Sequence, residues 1–235
     1  MKAGIIQSSY IPWRGYFDFI DSVDLFVVLD DIPIGSRPNW RQRNRIKTAD
    51  GPKWLTVPVK GNRETLIDQV RIDPGDTAWR KRHRRSLQTW LGPAPHFDDA
   101  LRIWDEGTSP ATATLHELNL ALIRPVCDYL GITTPMVMAR DYNVGGAKTE
   151  RLIALLEKVE ADAYLSGPTA RGYLDEEMFR RHGIRLEYKG YDYPSYPQLF
   201  GAFEGAVTVL DLIANTGPEA RSHLRSATPD IVTVS

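Results

Sequence analysis

Two short apolar runs, Gly4-Ile5-Ile6-Gln7 and Leu25-Phe26-Val27-Val28-Leu29, flank a helical stretch at 14–22. A strand that is apolar at nearly every position is covered on both faces. A helix between two such strands is a crossover, so the two run parallel. This unit commits the first third of the chain to an α/β fold.

The rest of the chain repeats the pattern after an interruption. Lys53–Val59 reads as a further strand, with Pro58 favouring an edge or a strand end. From 76 to 131 the pattern turns helical. Asp76-Thr77 is expected to cap a helix to about Leu91, stopped by Gly92-Pro93, and a second covers 97–106. A third begins after Ser109-Pro110, carries Leu115, Leu118, Leu122, Val126 and Leu130 at helical spacing and ends at Gly131. Pro125 is expected to kink or divide it. Strands at 135–139, 162–165 and 184–188 then alternate with helices at 148–160 and 170–182. A last amphipathic helix covers 206–214.

The expected fold is a mostly parallel sheet with flanking helices and a central helical insertion, one domain overall. Residues 1–75 and 132–222 form its α/β core, 76–131 the insertion and 223–235 a disordered tail.

At 235 residues with a net charge of −1, the chain gives no sign of a nucleic-acid or anionic-membrane binder. One cysteine excludes an intrachain disulfide and a Cys-rich metal site. There is no uninterrupted apolar stretch of about 20 residues and no signal-peptide pattern, so a cytoplasmic protein is expected.

Ligands of parallel α/β sheets bind at the carboxyl ends of the strands. Three loops fall there, 8–16, 30–47 and 166–171, and polar and aromatic residues gather in them. If 40–47 is extended, Arg41, Arg43, Arg45 and Lys47 share one face and Trp40, Gln42, Asn44 and Ile46 the other. Four such cations need neutralising by Asp30 and Asp31 or by an anionic substrate, and arginine suits phosphate. A solvated basic strand is the plain alternative. Ser166-Gly167-Pro168-Thr169-Ala170-Arg171 joins a strand to a helix start, where backbone N–H groups with Ser166, Thr169 and Arg171 can hold an anion; an ordinary loop capped by Thr169 is the alternative.

His83 stands among arginines that lower its pKa and keep it neutral, as a general base requires. An exposed basic helix is the competing reading. His116 has no second histidine at ligand spacing, and no metal site is expected. Cys127 reads as core. The stretch from Tyr188 to Gln198, with Tyr191, Tyr193 and Tyr196, is a pocket wall or simple packing.

These residues together resemble the WbqC-like proteins, bacterial proteins encoded with polysaccharide or specialised-metabolite biosynthesis. The resemblance spans nearly the whole chain. Its opening block is carried by Ile5, Gln7, Tyr10, Pro12, Trp13, Gly15, Tyr16 and Asp18. Asp30-Asp31, then Trp40, Arg43, Asn44, Ile46 and Lys47, and Trp54 through Val59 follow. Further on come His83, Lys148 through Leu152, Tyr164 through Gly167, Tyr173-Leu174-Asp175, Tyr196-Pro197-Gln198 and Leu210-Asp211-Leu212. The chain departs from the pattern at Ser8, where proline is usual, and at Leu212 through Gly217.

The resemblance implies a transferase that forms an amide by acyl or aminoacyl transfer to an amino sugar or small amine. Arg41, Arg43 and Lys47 would bind an anionic donor: a nucleotide, a coenzyme A thioester or a carrier-protein phosphopantetheine thioester. Asp30, Asp31 or His83 would accept the amine's proton. Tyr10, Trp13 and Tyr16 would form an apolar or sugar-stacking wall, with Gln7, Trp40, Asn44, Ser166, Gly167, Arg171, Tyr196 and Gln198 completing the substrate contacts. An acyl or peptidyl carrier protein is the expected macromolecular partner.

Two alternatives stay open. The strand, Pro12-x-x-Gly15, helix, strand-Asp order is also similar to nucleotidyltransferase-like folds, which implies an ATP-dependent ligase or nucleotidyltransferase. Those folds carry a His-x-Gly-His turn where this chain has Trp13-Arg14-Gly15-Tyr16, which puts adenylyl chemistry in doubt. The other is a non-catalytic module that binds a biosynthetic intermediate or carrier protein.

Overall fold

A computed structural model describes residues 1–108 and 112–235. The chain runs β1 (Lys2–Ile6), α1 (Arg14–Asp21), β2 (Leu25–Val28), β3 (Arg43–Ile46), β4 (Lys53–Thr56), β5 (Val59–Lys60), β6 (Arg71–Ile72), then α2 (Trp79–Trp90), α3 (Phe97–Gly107) and α4 (Leu115–Leu130). It continues through β7 (Met136–Met138), α5 (Lys148–Lys158), β8 (Ala163–Ser166), α6 (Glu176–Arg181), β9 (Arg185–Tyr188), α7 (Val209–Thr216) and β10 (Ile231–Val234).

The main sheet has the order β10-β9-β8-β1-β2-β7. Neighbours are parallel except β9 and β10. The register sets Gly4 of β1 between Phe26 of β2 and Leu165 of β8. Two apolar layers cover the sheet, as strands buried on both faces require. Phe26, Val28 and Leu165 face a layer built from α1, α3, α4 and α7. Ala3, Ile5, Leu25, Val27 and Leu186 face the other, built from α5 and α6. Each fully buried side chain such as Phe26 or Ile20 contributes about 2 kcal/mol by leaving water.

The strand order positions the site. From β1 the chain moves to β2 on one side; from β8, β1's other neighbour, it moves to β9 on the opposite side. β1 and β8 thus flank the point where the winding reverses, and a crevice opens there beyond their carboxyl ends.

Several sequence expectations are corrected. The strand expected at Lys53–Val59 is shorter, β4 ending at Thr56 before Pro58, and it pairs antiparallel with β3 in a separate hairpin. Asp76 and Thr77 do not cap α2, whose N-cap position is Ala78; the Asp76 carboxylate instead takes both Arg82 Nη groups, at 2.9 and 2.5 Å. The helix expected at 170–182 is divided into a 3₁₀ turn at Pro168–Gly172 and α6, which starts afresh where Asp175 caps the Met178 N–H. Pro125 does not divide α4, because the helix is secured at both ends and buried between. Thr114 and Glu117 form a capping box, Gly131 at φ +65° closes the far end, and Leu118, Leu122 and Val126 are buried. Ser109 and Pro110 lie outside the described residues, and α4 starts after them, at Leu115. The expected tail is structured: Ile231–Val234 adds the antiparallel edge strand, anchored by Asp230, which accepts from Lys189 Nζ and Gly190 N.

Among the described residues no helix is long and apolar enough to cross a membrane.

Candidate functional site

Beyond β1 the chain turns sharply through Gln7–Pro12, and this turn is tied down at nearly every residue. Ser8 N donates to Asp30 Oδ1 at 2.8 Å, and Tyr10 N to the Trp40 carbonyl at 3.2 Å. Asn44 Nδ2 donates to the Ile11 and Tyr10 carbonyls at 2.9 and 3.3 Å. Val209 N donates to the Pro12 carbonyl at 2.9 Å. Ile11 takes φ +35°, a strained conformation for a β-branched residue that costs on the order of 1–3 kcal/mol. Such strain persists where surrounding bonds over-determine the backbone, as they do here.

The turn ends at Trp13, the residue before α1, whose indole folds back over the first helical turn. A Cβ on Gly15 would sit 2.4 Å from Trp13 Cζ2, so only glycine admits the ring there. Tyr191 and Tyr193 meet the same indole edge-on, at 5.3 and 5.6 Å between centroids.

A cavity of about 350 Å³ lies within this frame at the winding reversal, a size that suits a small ligand or part of a larger one. Ile6, Pro12, Trp13, Tyr16, Trp40 and Ala206 form its apolar wall, and Ser9, Arg41 and Asn44 supply polar atoms. The Tyr16 hydroxyl is turned to the Gln7 carbonyl, 3.1 Å away, and burial raises its pKa well above the ordinary tyrosine value. Arg41 Nη2 donates to Gln7 Oε1 at 2.7 Å, and the Arg41 carbonyl accepts from Asn119 Nδ2 at 3.0 Å. Among the described residues no carboxylate pairs with this guanidinium. Burial lowers its pKa while Tyr16 and Asp30 act against that; an arginine nevertheless stays charged. The pocket therefore holds an unneutralised cation against an aromatic wall.

Behind the turn lies a buried polar cluster. Asp30, 2% exposed, accepts from Ser8 N on one oxygen and lies 2.6 Å from His116 Nδ1 on the other. A carboxylate oxygen accepts, so Nδ1 carries the proton in this bond. Asn119, one turn along α4 from His116, donates to Ser8 Oγ at 3.0 Å as well as to the Arg41 carbonyl. Helix α4 thus braces both the turn and Arg41.

The structure brings Gln7, Trp13, Tyr16, Trp40, Arg41 and Asn44 together as the sequence predicts, with Asp30 behind them. Other expectations change. The four cations do not share a face, because only 43–46 is extended. Arg43 and Arg45 follow the strand alternation and lie over Trp54, at 3.9 and 5.6 Å. Arg41, in the preceding turn, points instead to Gln7. Lys47 is 4% exposed and turned inward, with Nζ buried and unpaired and its charge felt by Asp211. Neither acid neutralises the row: Asp30 is engaged as described, and Asp31 Oδ2 accepts from Arg151 Nη2 at 2.5 Å.

His83 does not face the pocket. It is 5% exposed, packed edge-on against Trp79, with Nδ1 2.9 Å from the Tyr10 hydroxyl. That hydroxyl accepts from Trp104 Nε1 at 3.1 Å, so its own proton goes to Nδ1. Burial, with Arg82 acting the same way, pulls the His83 pKa down to about 4. The imidazole is neutral, as expected, but it serves as a pin between α2, α3 and the 8–16 turn. Tyr10 is part of this pin, fully buried, and does not line the cavity.

Ser166 is buried in β8, while Gly167 leads into a short 3₁₀ turn and Arg171 lies 5.8 Å from the Tyr188 ring. These residues occupy the correct sheet edge without lining the cavity. Tyr196 and Gln198 bind Asp211 Oδ1, at 2.8 and 2.6 Å, and hold α7 in place. Burial raises the pKa of Asp211 despite these bonds.

His116, Asn119 and Arg151 were not among the sequence candidates. The signal for two of them was present: His116 and Asn119 are polar residues three apart on a helical stripe that is otherwise leucine and isoleucine. Among the described residues no group of three or more His, Cys, Asp and Glu is arranged to hold a metal ion.

The WbqC-like protein family matches residues 7–223. An uncharacterized protein of Mycobacterium tuberculosis is 43% identical over 233 residues, 95% of this chain and 97% of that protein. No solved structure matches the chain.

Proposed function

We propose that this chain, which belongs to the WbqC-like protein family, is a biosynthetic transferase that forms an amide by acyl or aminoacyl transfer to an amino sugar or small amine. The observation that carries this reading is Arg41: a guanidinium without a carboxylate, braced by Gln7 and Asn119, in a cavity with a tryptophan and tyrosine wall. Such a site selects a small molecule with an anionic group and an apolar or sugar-like body.

In the proposed step the amine nitrogen attacks the thioester carbonyl carbon of the donor. The C–S bond breaks, the amine's proton passes to Asp30 with its His116 partner, and the released thiolate takes up a proton from solvent. Asp30 is favoured over Asp31 and His83 because its charge acts on Tyr16 and Arg41, which line the cavity; to reach it the amine displaces its Ser8 or His116 bond. An adenylyl-transfer route is disfavoured because the Trp13 indole covers the first turn of α1, where a phosphate would sit.

Engagement of both Asp30 oxygens within the fold favours one second reading, a non-catalytic module that binds a biosynthetic intermediate or carrier protein. The test is to supply purified protein with candidate amines and acyl donors as coenzyme A thioesters, carrier-bound thioesters, or free acids with ATP, following amide formation by mass spectrometry. A product whose kcat/KM falls about 10- to 100-fold in Arg41→Gln supports the transferase. Ligand binding lost in Arg41→Gln, with no amide from any combination, establishes the binding module instead.

A further inference from the structure

The β3–β4 hairpin presents a second feature at the mouth of the cavity. Trp40, which lines the cavity, is 45% exposed, and Trp54 of β4 is 42% exposed. Their rings are 5.1 Å apart and inclined at 51°. Large exposed tryptophans are uncommon, and two in contact mark a surface built for a partner. The pairing register sets Arg45 opposite Trp54, and strand alternation brings Arg43 onto the same face.

The charge of this face selects among occupants. Arg43 lies 3.9 Å over Trp54, yet its guanidinium has neither a carboxylate nor a hydrogen-bond acceptor among the described residues, and its Nε is buried and unpaired. Arg45 has one distant carboxylate, Glu204 at 3.8 Å, and donates from Nε to the Ala206 carbonyl at 3.0 Å. Arg41, which lines the cavity with Trp40, has no carboxylate partner among the described residues. Arg43 and Arg45, with one distant carboxylate between them, leave an excess of positive charge beside two part-exposed indoles, of which Trp54 already carries Arg43 on one face. A neutral sugar ring would answer the indoles and leave the arginines unsatisfied. A planar base bearing phosphates answers both, by stacking and by charge-assisted hydrogen bonds.

We propose that this face binds the nucleoside-phosphate end of a donor whose other end enters the adjoining cavity. The proposal rests on the reading of that cavity as a donor site only for the donor's orientation. The shared chemistry is a nucleobase carrying phosphate, as found in coenzyme A, ATP and nucleotide-activated sugars.

The test is titration of the full chain with adenosine 3′,5′-bisphosphate, ATP and uridine diphosphate, with inorganic pyrophosphate as the phosphate-only control, read by tryptophan fluorescence and calorimetry. At least one nucleotide should quench the fluorescence and bind at least tenfold more tightly than pyrophosphate. Which one does so identifies the donor type. Arg43→Gln should weaken that nucleotide at least tenfold and flatten its salt dependence, and Trp54→Ala should erase its advantage over pyrophosphate, each variant being confirmed folded by circular dichroism. Three outcomes overturn the proposal: no nucleotide binds; binding is equal in wild type and Arg43→Gln; or an acidic carrier protein, and no nucleotide, gives the response that Arg43→Gln abolishes. Nucleotide binding without any amide product would sink the transferase reading and leave this one standing. Amide formation from donors that lack a nucleotide, with no nucleotide binding, would do the reverse.

Discussion

His116 on α4 holds Asp30 at the end of β2 across 2.6 Å, and the second Asp30 oxygen fixes Ser8 at the end of β1. One carboxylate thereby locks two adjacent strand ends to a helix of the opposing layer. Both partners are nearly excluded from solvent. His116→Ala removes one side and leaves a buried carboxylate with a single donor, so it should destabilise the fold by about 3 kcal/mol. Urea unfolding measures this as a lower midpoint with an unchanged slope. A loss under about 1 kcal/mol would show that the pair does not brace the strand ends.

The neutral His83 makes stability depend on pH. Released by unfolding, its imidazole takes up a proton near pH 6.5; buried, it does so only near pH 4. Between those values the unfolded chain binds more protons, so stability falls as pH drops through this window and levels off below it. The contribution is on the order of 3 kcal/mol. Glutamine can accept from the Tyr10 hydroxyl without titrating, so in His83→Gln this increment should vanish from a series of melts between pH 4 and 7.

Gly15 offers a test of the pocket wall. A methyl group there would meet the Trp13 ring at 2.4 Å, so Gly15→Ala must displace the indole. The expected cost is about 1–3 kcal/mol. Because Trp13 lines the cavity, tryptophan emission should shift and ligand affinity fall together. An unshifted emission spectrum would mean that the ring is not seated as described.

Lys189 is 7% exposed and lies 3.0 Å from Asp18 and 3.1 Å from Asp230. It joins α1 to the chain end. Lys189→Met leaves two carboxylates facing each other without their cation, a loss of about 3–5 kcal/mol. Hydrogen exchange should quicken first in β10, which depends on this tie. Uniform quickening across the sheet would assign Lys189 a global role instead.

Elements with strong local signals were legible in the sequence. The apolar runs at 4–7 and 25–29 are strands because nothing but burial on both faces suits them, and α1, α3 and α4 follow from periodicity. That the 8–16 turn and Trp40-Arg41 meet at one sheet edge was likewise readable, since both follow strand ends and gather polar and aromatic groups. What escaped was direction. Period-two alternation placed Arg41 and Lys47 beside Arg43, whereas the extended backbone starts only at Arg43 and Lys47 is drawn inward near Asp211. His116 stood out as a polar residue on an apolar helical stripe, but its partner Asp30 lies 86 residues away, and no local pattern encodes that contact. The edge strand Ile231–Val234 is short and exposed on one side, so its hydrophobic signal is weak; the Asp230 bonds to Lys189 and Gly190 that help hold it are long-range as well.

The reversal of winding between β1 and β8 has a consequence for how such a protein can diversify. The gap at their ends arises from the directions in which the chain departs, so no core side chain has to be given up to make it. Recognition then falls mainly to positions in 8–16 and in the 40–54 hairpin region, while most of β1, β2 and β8 bears the load of folding. Ligand choice and stability are most nearly separable at part-exposed positions such as Trp40, whereas exchanges in the buried 8–16 turn move both together.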